Sequence, residues 1–62
     1  MPYVEVKAFD RRLEDEAKTR ELIEAITDAF VKVYGEPVRE QTWVVVEGVS
    51  PKRWGFGGKL VD

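Results

Sequence analysis

Apolar residues change their spacing twice along this 62-residue chain, and that double change restricts the fold more than any other feature. From Pro2 to Phe9 they alternate: Val4, Val6 and Ala8 point one way, and Tyr3, Glu5, Lys7 and Phe9 the other. This is a strand with one apolar and one mixed face. From about Leu13 to Tyr34 the period lengthens, with Leu22, Ile23, Ile26, Ala29, Phe30 and Val33 on one side of a helix. Glu14, Asp15 and Glu16 suit its positive N-terminal end. Glu14–Lys18, Glu16–Arg20 and Asp28–Lys32 have the supportive i,i+4 orientation. Gly35 and Glu36-Pro37 stop the helix. Thr42 to Glu47 is then a continuous run of β-formers, which fits a strand covered on both faces. The expectation is an α/β chain built as a single β-α-β unit with parallel strands. Gly48 to Asp62 holds four of the five glycines together with Pro51, and reads as a turn and a short C-terminal β-hairpin that reaches onto a neighbouring subunit.

Sixty-two residues make one domain, 1–62, and a chain so short buries only ~60% of the surface it exposes when unfolded. Disulfides, a metal or association usually make up the deficit. The chain has neither cysteine nor histidine, so disulfides and the usual zinc ligands are out, yet 44% of it is hydrophobic. A homo-oligomer is expected. Ten basic against twelve acidic residues give a net charge of −2, without the basic excess of a nucleic-acid binder. The N-terminus lacks a basic start and apolar core of a signal peptide, and no apolar run approaches the ~18 residues of a membrane span. A cytoplasmic protein is the expectation.

Without His or Cys, few groups can titrate near neutral pH. One is the α-amino group, with an ordinary pKa of about 7.7–8.0. An internal proline nitrogen is an amide without basicity, but an N-terminal proline is a rigid secondary amine. Removal of Met1 would make Pro2 such a group, and apolar surroundings or a nearby cation would lower its pKa toward the range of a general base. On position alone Pro2 has an ordinary role, the start of an edge strand.

Met1-Pro2 before a short alternating strand, an arginine ten residues after that proline, a long amphipathic helix, a Val-rich strand and Arg53-Trp54-Gly55-Phe56-Gly57-Gly58 together resemble the 4-oxalocrotonate tautomerase (2-hydroxymuconate tautomerase) family. The likeness covers essentially the whole chain. It implies a cofactor-independent isomerase of aromatic catabolism, in which the N-terminal proline moves a proton on a 2-hydroxy-dienoate or related unsaturated 2-oxo acid. It also implies sites formed between subunits, a hexamer being the expected assembly. Carried over by residue, Pro2 takes the base, and Arg12 takes the carboxylate-binding position, with Arg11 beside it as the other register. Trp54 takes the hairpin's aromatic position, where it equally suits interface packing.

Two departures matter. The family's second arginine lies in the second strand, eleven residues before the hairpin aromatic, and Trp43 stands there. Arg39, four residues upstream, replaces it only in a different register, and both it and Arg53, beside Trp54, read first as solvated surface arginines. Loss of that cation favours a monocarboxylate, or a substrate whose apolar end stacks on Trp43. Leu13 occupies a frequent Ser/Thr helix-cap position, which leaves Asp10 as the expected cap. Gly55 to Lys59 lacks the full phosphate-loop pattern and the helix that must follow it. The run Glu14-Asp15-Glu16 reads as a solvated helix start, with no metal expected. Two alternatives stay open: a hydratase or dehalogenase, needing a carboxylate such as Glu5, Asp10 or Glu47 near Pro2, and a catalytically silent subunit of a hetero-oligomer.

Overall fold

The computed structural model describes residues 1–61. Its frame is the strand–helix–strand unit: β1 (Tyr3–Phe9), α1 (Glu16–Tyr34) and β2 (Trp43–Val49). The two strands are parallel, paired from Tyr3 opposite Trp43 to Phe9 opposite Val49. A separate antiparallel pair follows, β3 (Gly55–Phe56) with β4 (Lys59–Leu60). Fold class and topology match the sequence expectation.

The alternation in β1 holds: Val4, Val6 and Ala8 are half-buried, whereas Tyr3, Glu5 and Lys7 are exposed. Phe9 departs from it, because the Trp54 ring packs edge-on against it at 5.1 Å and 77°. In β2, Val44 and Val46 are half-buried, but Trp43 and Val45 are 57% and 43% exposed. The apolar run is therefore covered on one face only, not on both. A single helix can roof just one side of a two-stranded sheet. The strand also runs past Glu47 to Val49.

The helix starts later than its periodicity suggests. Asp10–Leu13 forms a 3-10 turn, and the cap is Asp15, whose carboxylate accepts from the backbone N–H of Ala17 (2.9 Å) and Lys18 (3.3 Å). Asp10 instead accepts from the N–H of Arg11 at 2.8 Å. Asp15 wins because its short side chain reaches the free N–H groups of the first turn. Among the described residues none of the three expected i,i+4 pairs closes; Asp28 pairs with Arg39 rather than Lys32. The stripe is also wider than the sheet can cover. Ile23, Ile26 and Phe30 are half-buried, while Leu22, Ala29 and Val33 are exposed.

Gly35 ends α1 at φ 97°, donating its N–H to Val31 at 2.8 Å, and a 3-10 turn over Glu36–Gln41 returns the chain to β2. At the tail, the Trp54 indole donates to the Val49 carbonyl at 3.1 Å. Gly57 and Gly58 take φ of 58° and 84°, the pair of left-handed residues that a type I′ hairpin turn demands.

No described residue is fully buried. The Cα radius of gyration is 14.4 Å, with extents of 43 × 26 × 14 Å. A compact chain of this length would have about 11 Å. One helix laid on two strands makes a slab whose other sheet face, with Tyr3, Trp43 and Val45, is uncovered. No described helix is long and apolar enough to cross a membrane.

Candidate active site

Pro2 lies just before β1, so strand alternation turns its ring to the helix side of the sheet. Its carbonyl accepts from the Trp43 N–H at 2.9 Å, which ties the N-terminus to the start of β2. There it borders an open groove of about 480 Å³ with Met1, Phe30, Tyr34, Pro37, Val38 and Gln41. Helix α1 supplies one wall through Phe30 and Tyr34, whose rings stack at 6.1 Å and 26°. The 3-10 turn after Gly35 supplies the other. Met1 occupies part of this groove, so its removal would free the Pro2 nitrogen and open space beside it.

Arg39 sits on that same turn, but its guanidinium faces acids of its own chain. Nε donates to Glu36 at 2.7 Å and Nη1 to Asp28 at 2.9 Å. These two carboxylates, Glu36 first, raise its pKa above the ordinary value. The clasp ties the groove's outer wall to α1 through Asp28, and the Thr42 hydroxyl braces the turn itself by donating to the Val38 carbonyl at 2.8 Å.

Arg12 lies at the far end of β1, in the Asp10–Leu13 turn. It borders a second groove, about 410 Å³, that Lys18 also lines together with Val6, Ala8, Leu13 and Leu22. Seven strand residues at ~3.3 Å each separate this end from Pro2 by about 23 Å. One chain therefore does not bring Pro2 and Arg12 around one small molecule. Trp43 adjoins Pro2 through its backbone but presents its ring beside Tyr3 on the open sheet face. Trp54 is half-buried against Phe9, and the hairpin's exposed aromatic is Phe56, 72% accessible.

The other acids do not meet Pro2. Glu5 and Glu47 both engage the Lys7 ammonium on the open sheet face, which raises its pKa, through Glu47 first and then Glu5. Asp10 stands beside Arg12 in the distant turn. Sequence reasoning missed Lys18 in the Arg12 groove, Tyr34 and Gln41 beside Pro2, and Gly48. A Cβ on Gly48 would lie 2.8 Å from the Asp10 Cα, so this glycine is what lets the arginine turn cross β2. The only signal in the sequence was a glycine interrupting a strand of β-branched residues.

Residues 2–62 match the model of the family described as "Tautomerase enzyme". Among curated proteins, none matches the chain significantly. DmpI from Helicobacter pylori superposes with a TM-score of 0.80 at 24% identity, over 97% of this chain and 95% of that one, a likeness of fold. A structure from work on the 4-oxalocrotonate tautomerase isozymes of Methylibium petroleiphilum gives 0.74 at 28% identity, covering 92% and 87% of the two chains. A protein of methicillin-resistant Staphylococcus aureus, described as a candidate 4-oxalocrotonate tautomerase, gives 0.76 at 30% identity over the same shares.

Proposed function

We propose that this chain, which belongs to the tautomerase enzyme family, converts the enol of an unsaturated 2-oxo acid to its ketone with the Pro2 amine as general base. The observation that carries the reading is the setting of Pro2: a half-buried proline at the edge of an open groove, one peptide bond from being a secondary amine. With Met1 gone, the nitrogen takes the proton from the 2-hydroxyl. The oxygen's electron pair forms the C=O bond, the carbon–carbon double-bond pair moves to a substrate carbon, and that carbon takes the proton back from the prolinium. Nothing is consumed, and no cofactor is required.

The substrate's carboxylate falls to Arg12, whose planar guanidinium can bind it with two parallel hydrogen bonds, with Lys18 adding charge in the groove. Fixed cations there also stabilise the charge that develops on the enolate oxygen. Since Pro2 and Arg12 stand at opposite ends of β1, the working site is composed of two copies. A second chain set antiparallel along the β1 edge would place its Arg12 by the first chain's Pro2. Association into a hexamer would further cover the open sheet face. Within one chain Glu5, Asp10 and Glu47 all lie away from the Pro2 groove, so the hydratase alternative would need the second copy's Asp10, which travels with its Arg12.

The test is ketonisation of 2-hydroxymuconate and of a monocarboxylate enol, followed by ultraviolet absorbance, with Met1-free protein and its Pro2→Ala variant. Turnover lost in the variant supports the amine base. Equal rates in both proteins, or an intact mass that retains Met1, would favour a catalytically silent subunit.

A further inference from the structure

Proton transfer at Pro2 leaves one need that the base itself does not meet. Once the 2-hydroxyl proton has passed to the nitrogen, negative charge rests on the oxygen until the substrate carbon is protonated. A donor already aimed at that oxygen lowers the barrier. Among the described residues no charged side chain lines the groove, and its polar side chains are Tyr34 and Gln41. Arg39, on the same turn as Gln41, has its guanidinium engaged by Glu36 and Asp28.

The strand pairing says which of the two is placed for this. It begins with Tyr3 opposite Trp43, and the Trp43 N–H reaches back to the Pro2 carbonyl at 2.9 Å. Two residues earlier on each side stand Met1 and Gln41, and both border the groove. The peptide bond whose cleavage frees the Pro2 amine therefore runs beside Gln41. The turn that ends in Gln41 is also braced. The Thr42 N–H donates to the Arg39 carbonyl at 3.3 Å, and the Thr42 hydroxyl to the Val38 carbonyl at 2.8 Å. A fixed backbone thus holds the amide near the amine, while the exposed side chain is free to turn toward a ligand. Tyr34 comes from the end of α1 with its ring stacked on Phe30, so its approach depends on the helix and not on the strand pairing.

Resting on the tautomerase reading above, we infer that Gln41 is a catalytic residue, whose Nε2 donates to the substrate's 2-oxygen while the Pro2 nitrogen carries the proton. That hydrogen bond strengthens as the hydroxyl becomes an enolate and weakens as the C=O bond forms, so it acts on the rate more than on binding. No covalent bond to Gln41 forms or breaks. An amide neither gains nor loses a proton near neutrality, so it supports the oxygen without competing with Pro2 as a base. The substrate's carboxylate stays with the second copy's Arg12.

The experiment uses Met1-free protein and its Pro2→Ala, Gln41→Leu, Gln41→Glu and Tyr34→Phe variants, with 2-hydroxymuconate and a monocarboxylate enol as probes. Gln41→Leu should lower kcat about a hundredfold with KM little changed, the mark of an interaction made in the transition state. Tyr34→Phe should cost less. The opposite order, or a Gln41→Leu kcat within about threefold of the parent, overturns the assignment and leaves the tautomerase reading standing. Gln41→Glu tests the geometry without any substrate. NMR titration of the Pro2 nitrogen should find its pKa raised by about one unit or more, because a carboxylate within about 4–6 Å favours the charged amine. The second copy's Arg12 and Asp10 act alike on parent and variant, so they drop out of that comparison. An unmoved pKa puts Gln41 away from the amine and overturns the inference, whatever the substrate. Parent turnover of both enols no faster than that of Pro2→Ala removes the tautomerase reading, and the catalytic role of Gln41 with it.

Discussion

Replacing Gly48 by alanine should disturb both stability and carboxylate binding, although Gly48 is itself neither charged nor near Pro2. Its φ is not in the left-handed region, so the constraint is space. The added Cβ would stand 2.8 Å from the Asp10 Cα and 3.2 Å from the Asp10 Cβ. Carbon atoms pack at about 3.5–4.0 Å, so some 0.7 Å or more must be found. The nearest obstruction is backbone, which cannot swing aside like the end of a side chain. Either the Asp10–Leu13 turn lifts off β2, or β2 retreats from its in-register pairing with β1. Overpacking of this kind costs about 1–3 kcal/mol, and the lower entropy of an unfolded alanine returns about 0.4–1 kcal/mol. A net loss of about 1–2 kcal/mol should appear in urea unfolding at fixed protein concentration, which matters for a chain that associates. The lifted turn carries Arg12, so KM should rise more than kcat falls. A variant as stable as the parent, with unchanged KM, would refute the argument that this contact seats the turn.

Three further outcomes are expected. Arg12→Ala should raise KM about ten- to a hundredfold, the weight of hydrogen bonds to a charged group, and steady-state kinetics on the preferred enol measures it. Gly58→Ala, at φ 84°, should destabilise the hairpin by about 1 kcal/mol through backbone strain rather than crowding, since no atom lies within 4 Å of its added Cβ, and urea unfolding reads it. Lys7 has a raised pKa in the fold, so the unfolded chain releases that proton first: its stabilisation is full below the ordinary value near 10.5 and declines as pH rises through the higher folded one. Unfolding compared at pH 9 and 11 should therefore show a smaller alkaline loss in Lys7→Met than in the parent.

The parts of the fold written in local spacing were legible in the sequence. Alternation located β1, a period near 3.6 located α1, and the paired glycines located the hairpin, because each reports on neighbours a few residues away. The helix start was missed by about three residues, since Asp10 and Asp15 are equally good caps on paper and only the length of the intervening turn decides between them. What the sequence hid was set by contacts across the chain. Arg39 meets Asp28 eleven residues upstream, Lys18 lines the same groove as Arg12, and Gly48 accommodates Asp10. Pro2 could be singled out because proline at that position has unusual amine chemistry. Its surroundings could not, since Phe30, Tyr34 and Val38 approach it only once α1 has folded back over β1.

The separation of Pro2 from Arg12 by the length of β1 has a consequence for mixtures of defective chains. If each site takes its proline from one copy and its arginine from another, Pro2→Ala and Arg12→Ala chains are damaged in complementary halves. Either alone would assemble into a particle with every site broken. Unfolded together and refolded at equal amounts, they would pair at random, and about one site in four would join an intact proline to an intact arginine. At substrate levels well below the raised KM, activity would then be regained from two impaired preparations, the signature of a catalyst whose unit of function is the contact and not the polypeptide.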